Sequence, residues 1–313
     1  MNKLISKYTN KIFFKKWIIG LCSNTTITDI IKTRTFDPEI KWIKTKSVDK
    51  FYADPFPYID ENGSLRILCE SFDFGEDYGK ISLLAFDASM KPLQGKVLLD
   101  TQSHLSYPLI FKNDGKTYVF PEASKSGKLS CYEYDSVHES LHFLQDIIDK
   151  PLLDATIIKN NGLYWVFGSI RPAGKNDYQL YIFYSQNLLG PYTEHAENPV
   201  RNGLDGIRSA GKFIEVEGTW YRPAQNCKSQ YGESVTINKI TELTITTFRE
   251  EGYMDVRINP KRNPNNGMHT LHTINSVGGL IVLDGEYWFF SPFQQMKKFI
   301  KNILEPKHPV HRN

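Results

Sequence analysis

The 313-residue chain is poor in cysteine. Its four, Cys22, Cys69, Cys131 and Cys227, stand far apart. They show neither the paired spacing of a zinc site nor a disulfide framework, and reduced thiols fit a cytoplasmic protein. Charge of one sign is also scarce. Lys and Arg number 38 against 35 Asp and Glu, a net charge of +3, so no nucleic-acid partner is implied. Long hydrophobic runs are missing. In the basic N-terminal stretch the longest uncharged apolar run covers residues 17–22. That is too short for a bilayer span or a secretory core, so neither a signal peptide nor a transmembrane helix is expected. There is no P-loop, dinucleotide glycine fingerprint, HExxH or GxSxG motif. No spaced DxD and no βαβ alternation point to the usual metal-dependent glycosyltransferases. No cofactor and no metal ion is expected.

What the chain does contain is a repeat. The stretch YADPFPYIDENGSLRILCE (52–70) reads as a strand, a tight turn and a second strand, and its form returns at 106–122, 153–169 and 209–225. Each copy has a polar or small start, an apolar run, a turn glycine and an aromatic-rich run. The glycines are Gly63, Gly115, Gly162 and Gly218, 52, 47 and 56 residues apart. Seven residues after each comes a polar residue: Glu70, Glu122, Ser169 and Gln225. About nine before sit Asp54, Ser106, Asp154 and Ser209. A weaker fifth copy spans 269–290, with Gly279 or Gly285 as its turn. Units of roughly 50 residues made of short strands cannot bury their faces alone, so they stack around an axis. The expectation is an all-β, five-bladed β-propeller over residues 17–290, its inner strands starting near Asp54, Ser106, Asp154, Ser209 and Thr270. A strand at residues 16–21 is expected to complete the last blade, and another lies at 40–45.

Basic extensions flank the ring. Residues 1–16 set apolar side chains among lysines. Residues 291–313 place Met296, Phe299, Ile300 and Ile303 at helical spacing beside Lys297, Lys298 and Lys301. Two readings stand side by side: short basic amphipathic helices in peripheral contact with the inner face of an anionic membrane, or segments packed on the propeller. The loop carrying Asp73, Glu76 and Asp77 has the carboxylates for a hard cation, or is a solvated turn.

Closing the ring brings the repeat offsets together. Asp54, Asp154, Glu70 and Glu122 then converge at one funnel mouth. Glycosyl chemistry needs a carboxylate for the attacking oxygen or for direct attack, and often an acid for the leaving group. Converging carboxylates repel, so at least one has a raised pKa. The plainer reading is that they hydrogen-bond strand tops and cap turns. The same blades bring His104, Arg208, Arg222 and His269, with His272 as a further cation. Such a set suits a phosphate leaving group. For Arg222 the alternative is a structural salt bridge to a glutamate. Tyr107 and Tyr221, with Tyr52 and Tyr231, form a sugar-stacking rim or pack the interior. Gln225 completes the binding set.

At ADPF, HLSYP, FPE, LDAT and RSAG…YRPAQ the chain resembles the N-terminal domain of plant glucosamine inositolphosphorylceramide transferases and its stand-alone bacterial relatives, over about residues 17–290. More distantly it is similar to five-bladed propellers of the arabinanase and invertase type. That likeness implies a base or nucleophile at Asp54 and a supporting aspartate at Asp154. The general-acid glutamate of that type falls where Arg208, Ser209, Ala210 and Gly211 stand here. The resemblance does not reach the plant proteins' separate transferase domain. The expected activity is glycosyl transfer in bacterial surface-glycan assembly, from a nucleotide- or lipid-phosphate-linked sugar donor to a glycan acceptor. A furanosidase-type hydrolase and a non-catalytic glycan-binding propeller are the alternatives.

Overall fold

A computed structural model describes residues 14–292 apart from 44–46, 48, 88–89, 94, 260, 262–269, together with residues 295, 296 and 300. Both basic extensions lie almost wholly outside the described residues, and His269 does too. The described chain forms five antiparallel sheets. Blade I holds Lys50–Ile59, Leu65–Asp73, Tyr78–Ala85 and Lys96–Leu99, from the axis outward. Blade II holds Ser106–Asn113, Lys116–Glu122, Leu129–Asp135 and Ser140–Ile148. Blade III runs Leu153–Asn160, Leu163–Ile170 and Tyr178–Ser185, edged by Thr193–Glu194 and Arg201–Gly203. Blade IV runs Asp205–Ser209 and Ile214–Val216, then Thr219–Asn226, Ser234–Leu243 and Phe248–Val256. Blade V runs Ile274–Val277 and Leu280–Phe289, and is completed by Phe14–Cys22 and Lys41–Trp42 from the other end of the chain.

The expected five-bladed ring is the observed fold. The turn glycines work as anticipated. Asp114–Gly115, Asn161–Gly162, Glu217–Gly218 and Gly278–Gly279 have positive φ at both positions. Two such residues match the twist of the strands they join. Gly279, not Gly285, is therefore the blade V turn, and the inner strand there begins at Ile274, four residues later than expected. The first strand starts at Phe14 and takes in Lys16. It pairs with Leu280–Phe289 in register from Phe14↔Phe289 to Cys22↔Ile281. Pairing the first strand with the last repeat ties the first and last parts of the described chain into one blade, which stabilises a propeller. The acidic loop between the second and third strands of blade I reads as the solvated turn: Asp73 pairs with Lys50 and Glu76 with Lys80.

The inner strands share one irregularity. Register slips between Ala53 and Phe56, between Ser106 and Leu109, and between Leu153 and Thr156. Each slip is a bulge whose first residue has left-handed backbone: Asp54 at φ 50°, Tyr107 at 45° and Asp154 at 50°. None is glycine, so each costs about 1–3 kcal/mol. Tyr107, not Ser106, is thus the blade II counterpart of the two aspartates. The bulge turns all three side chains into the interior, where they are 0–2 % exposed. In blade IV the inner strand breaks at Gly211. A Cβ there would lie 2.0 Å from the Ile274 carbonyl oxygen of blade V.

Blade V closure has a tight seam. Gly20 lies in the first strand, and a Cβ on it would come within 2.6 Å of Ile40 and 2.8 Å of the Trp42 ring. Overpacking of this kind costs about 1–3 kcal/mol. Gly20→Val is expected to lower the thermal midpoint by roughly 3–10 °C for a domain of this size. An unchanged midpoint in a melting experiment would show that the seam is looser than described.

Candidate active site

The bulges bring three aspartate- and glutamate-bearing blades to one buried funnel. Asp54 stands at its centre. Its Oδ1 accepts the Thr273 hydroxyl at 2.8 Å and lies 3.2 Å from His272 Nδ1. Its Oδ2 accepts the Tyr107 backbone N–H at 3.2 Å. Its own N–H donates to Asp284 Oδ2 at 2.8 Å. Asp284 also accepts the Thr273 N–H at 2.8 Å and sits 3.2 Å from His272 Nδ1. The other ring nitrogen of His272 meets the Tyr231 hydroxyl at 2.6 Å, and the imidazole packs 4.6 Å from the Trp17 ring. Asp54, His272 and Asp284 are one grouping of metal-ligating type, with donor atoms within 4.8 Å of one another. The hydrogen bonds above already engage each of those side chains, so an ion-paired imidazolium explains the cluster.

A second group adjoins it. Glu122 Oε2 accepts the Asp154 N–H at 3.1 Å, and Glu122 Oε1 accepts the Ser124 hydroxyl at 3.1 Å. Asp154 Oδ2 accepts Arg208 Nε at 2.6 Å and Gln225 Nε2 at 2.9 Å. Arg208 Nη2 reaches Glu122 at 3.6 Å, and the guanidinium lies 5.2 Å from the Tyr231 ring and 5.4 Å from that of Tyr178. Glu70 lines the same space, 3.9 Å from His104 Nε2. His104 Nδ1 accepts the Gly79 N–H, so a neutral ring presents its Nε2–H toward Glu70. The Ser209 hydroxyl is buried beside this group without a hydrogen-bond partner.

Charge in this space is governed by burial. Burial, with Asp284 and Asp154 nearby, pushes Asp54 up to about 6 against the pull of His272. Burial and the neighbouring Asp154 push Glu122 up to about 8. Burial and Asp54 hold Glu70 well above the usual carboxylate range. Burial opposes charge on His272, but Asp54 and Asp284 outweigh it and raise the imidazole to about 9. At neutral pH the funnel therefore holds an ionised Asp54 against a cationic His272 and a neutral acid at Glu122, while burial and Asp54 disfavour charge on Glu70. That division of labour between carboxyl groups is what acid–base chemistry on a glycosyl centre needs.

The structure thus brings together Asp54, Asp154, Glu70, Glu122, Arg208, Gln225 and His104. It corrects three binding assignments. Arg222 is fully buried on the far side of its strand. It donates to Glu250 at 2.6 and 2.8 Å and to the carbonyls of Gly206 and Ile207, so the structural salt bridge is the observed one. Tyr221 packs against Tyr253 on the flank of blade IV, away from the funnel. Tyr107 reaches the centre, but its hydroxyl is sealed between Thr156 and the Gly211 backbone. It positions Asp54 through its N–H and has no free surface for a sugar. Sequence reasoning missed Asp284 and Thr273 altogether. The signal for Asp284 was a carboxylate directly after the apolar run Leu280–Leu283, two residues before Glu286.

The ring and its acidic funnel define the chain as a five-bladed β-propeller. The family model for the N-terminal region of glucosamine inositolphosphorylceramide transferase 1 matches residues 41–286, and the chain belongs to that family. It is 32% identical over 252 residues to glucosamine inositolphosphorylceramide transferase 1 of Oryza sativa subsp. japonica, and 33% identical over 207 residues to that of Arabidopsis thaliana. Those matches cover 75% and 64% of this chain but only 33% and 27% of the relatives, so the chain spans about a third or less of their length. Among solved structures it is similar to a family 117 glycoside hydrolase of Zobellia galactanivorans. The TM-score is 0.52 at 13% identity, covering 78% of this chain and 88% of that one. A thermostable family-43 glycoside hydrolase gives a TM-score of 0.50 at 16% identity, covering 64% and 75%. These two likenesses concern the fold.

The raised values carry a sign for stability. A group whose pKa rises on folding stabilises the fold below its unfolded value, and that contribution is lost as pH rises through the folded one. The windows run from 3.8 to about 6 for Asp54, from 4.5 to about 8 for Glu122 and from 6.5 to about 9 for His272. All three slope the same way. The thermal midpoint is expected to fall between pH 6 and pH 9, and Glu122→Gln to flatten the part below pH 8. A midpoint that rises over this range would contradict the charge assignment.

Proposed function

We propose that the chain is an enzyme that transfers a glycosyl group at the acidic funnel. The observation that carries this reading is the convergence of four buried carboxyl groups, Asp54, Glu70, Glu122 and Asp154, on one space with Arg208 beside them, where burial raises Asp54, Glu122 and Glu70 above the usual carboxylate range. Asp54 serves as the central carboxylate at the anomeric carbon, and Glu122 supplies the proton for the leaving oxygen. Asp154 and Gln225 position that acid and its partner Arg208, while His104 and Tyr231 form the rim. The transferase name of the relatives supports transfer from a sugar donor to an acceptor in general; we take the donor to be phosphate-linked and the acceptor to be a glycan, and place the reaction in surface-glycan assembly. Of the cations expected to hold a phosphate leaving group, Arg208 stands in the funnel and Arg222 does not.

That same redistribution favours a second reading, furanosidase-type hydrolysis. An alkoxide leaving group needs a proton, which a neutral Glu122 provides, whereas a phosphate leaves without one.

Turnover tests on nucleotide-sugar, sugar-phosphate and aryl-glycoside panels decide between them. Asp54→Asn and Glu122→Gln are each expected to lower turnover at least about 100-fold, the usual cost of removing a transition-state interaction. Circular dichroism should show both still folded. Activity on a phosphate-linked donor supports transfer, and activity on the aryl glycoside alone supports hydrolysis. Full turnover in both variants, or glycan binding by the parent protein with no turnover on any panel, would remove the catalytic assignment.

A further inference from the structure

The inner strands begin at the acidic funnel and run to the opposite mouth of the ring. There a cavity of about 560 Å³ is lined by residues from all five blades. Three lysines meet in it: Lys112 of blade II, Lys159 of blade III and Lys212 of blade IV. Lys112 and Lys159 occupy the same repeat position, three residues before Gly115 and Gly162. Phe213 and the half-buried Trp220 supply flat apolar wall. No carboxylate is among the lining residues. Lys159 lies 4.9 Å over the Tyr164 ring and within electrostatic range of Asp114.

Lys212 is held in place from the backbone. Its N–H donates to Asn275 Oδ1 at 2.8 Å, and Asn275 in turn donates to the Pro55 carbonyl at 2.8 Å. Blades IV, V and I are thereby joined at the Lys212 backbone. Burial, and then the nearby Lys112, lower the Lys212 ammonium to about 8. Lys212 is set into the cavity while Lys112 and Lys159 are exposed at its mouth, and a buried ammonium beside a like charge is favoured by an anion that neutralises it. Lysine binds phosphate as a point charge, and an aromatic wall accepts the ring or apolar part of an ester.

We propose that this far mouth is a second ligand site, which takes the phosphate group of a phosphorylated small molecule through Lys112, Lys159 and Lys212. It is separate from the funnel and does not depend on the glycosyl-transfer reading. The phosphate comes either on a soluble ester or on a lipid headgroup, and both present the same oxygens to the lysines.

Calorimetry with inorganic phosphate and with uridine monophosphate tests the soluble arm, using the intact chain and Trp220 fluorescence as a second readout. Sedimentation with phosphatidylcholine vesicles, with and without phosphatidic acid, tests the lipid arm. Lys112→Met and Lys212→Met are each expected to weaken binding roughly tenfold or more, since a charged hydrogen bond is lost. Lys112 is exposed, so its variant keeps the fold even if Lys212→Met does not. Glu122→Gln, at the other mouth, should leave this binding unchanged. Binding of either probe type that is lost in Lys112→Met supports the site and names its source. No binding of any probe, or binding equal in the parent and in Lys112→Met, would overturn it.

Discussion

The structure depends on one buried carboxylate. Asp54 belongs to blade I, takes an N–H from blade II and a hydroxyl and imidazole from blade V. The first and last repeats meet at its Oδ1, and the second repeat joins them at Oδ2. A buried ion pair adds little when complete, yet removing one partner costs about 3–5 kcal/mol, because the other charge is left uncompensated. The imidazole of His272 would face Asp284 alone, and the Thr273 hydroxyl would lose its acceptor. Ring closure and the charge balance of the funnel therefore use the same atoms, and a change at Asp54 acts on both.

Local strain points to the same place. Three blades bend at one repeat position into left-handed backbone, and no glycine relieves it. A tyrosine adopts this conformation at a cost that only surrounding structure can offset. At Tyr107 the offset is visible in three hydrogen bonds to the hydroxyl and one from the N–H. The bulge is what aims Asp54 and Asp154 at the axis instead of along the sheet face. Tyr107 fills the gap between them, so the two aspartates approach without a third carboxylate from blade II at the same level.

The ring was legible in the chain because each turn glycine is a local requirement repeated at nearly constant spacing. Closure by the first strand was legible too, since the fifth copy is short. Blade V was the weak point. Asp284 falls five residues after Gly279, where the other copies carry Leu68, Phe120, Phe167 and Pro223. A motif search by offset finds only apolar residues there and passes over the exception. Arg222 was legible but misread. Residues three apart on a strand face opposite ways, so Arg222 points away from any space that Gln225 enters. Tyr221 shares the face of Gln225 but lies four residues along it, about 13 Å from the mouth.

The charges along the axis sort what each end can hold. Carboxyl groups stand where the inner strands of blades I and III begin, and lysines where those of blades II and III finish, five residues on from Tyr107 and Asp154, or about 17 Å. The funnel's cations are already committed: Arg208 to Asp154 and Glu122, His272 to Asp54 and Asp284. A phosphate entering there would have to draw Arg208 off its carboxylates in a space that also holds an ionised Asp54. A neutral glycosyl unit meets no such opposition and gains a proton donor in Glu122. At the other mouth the order reverses, because the lysines lack a carboxylate among the lining residues. The two ends of the ring thus differ in charge, carboxyl groups at one and lysines at the other, which is the distribution the two proposed sites rest on. For a phosphate-linked donor the electrostatically easier arrangement keeps the phosphate at the funnel rim, on the exposed edge of Arg208 and beside His104, with only the sugar reaching Asp54.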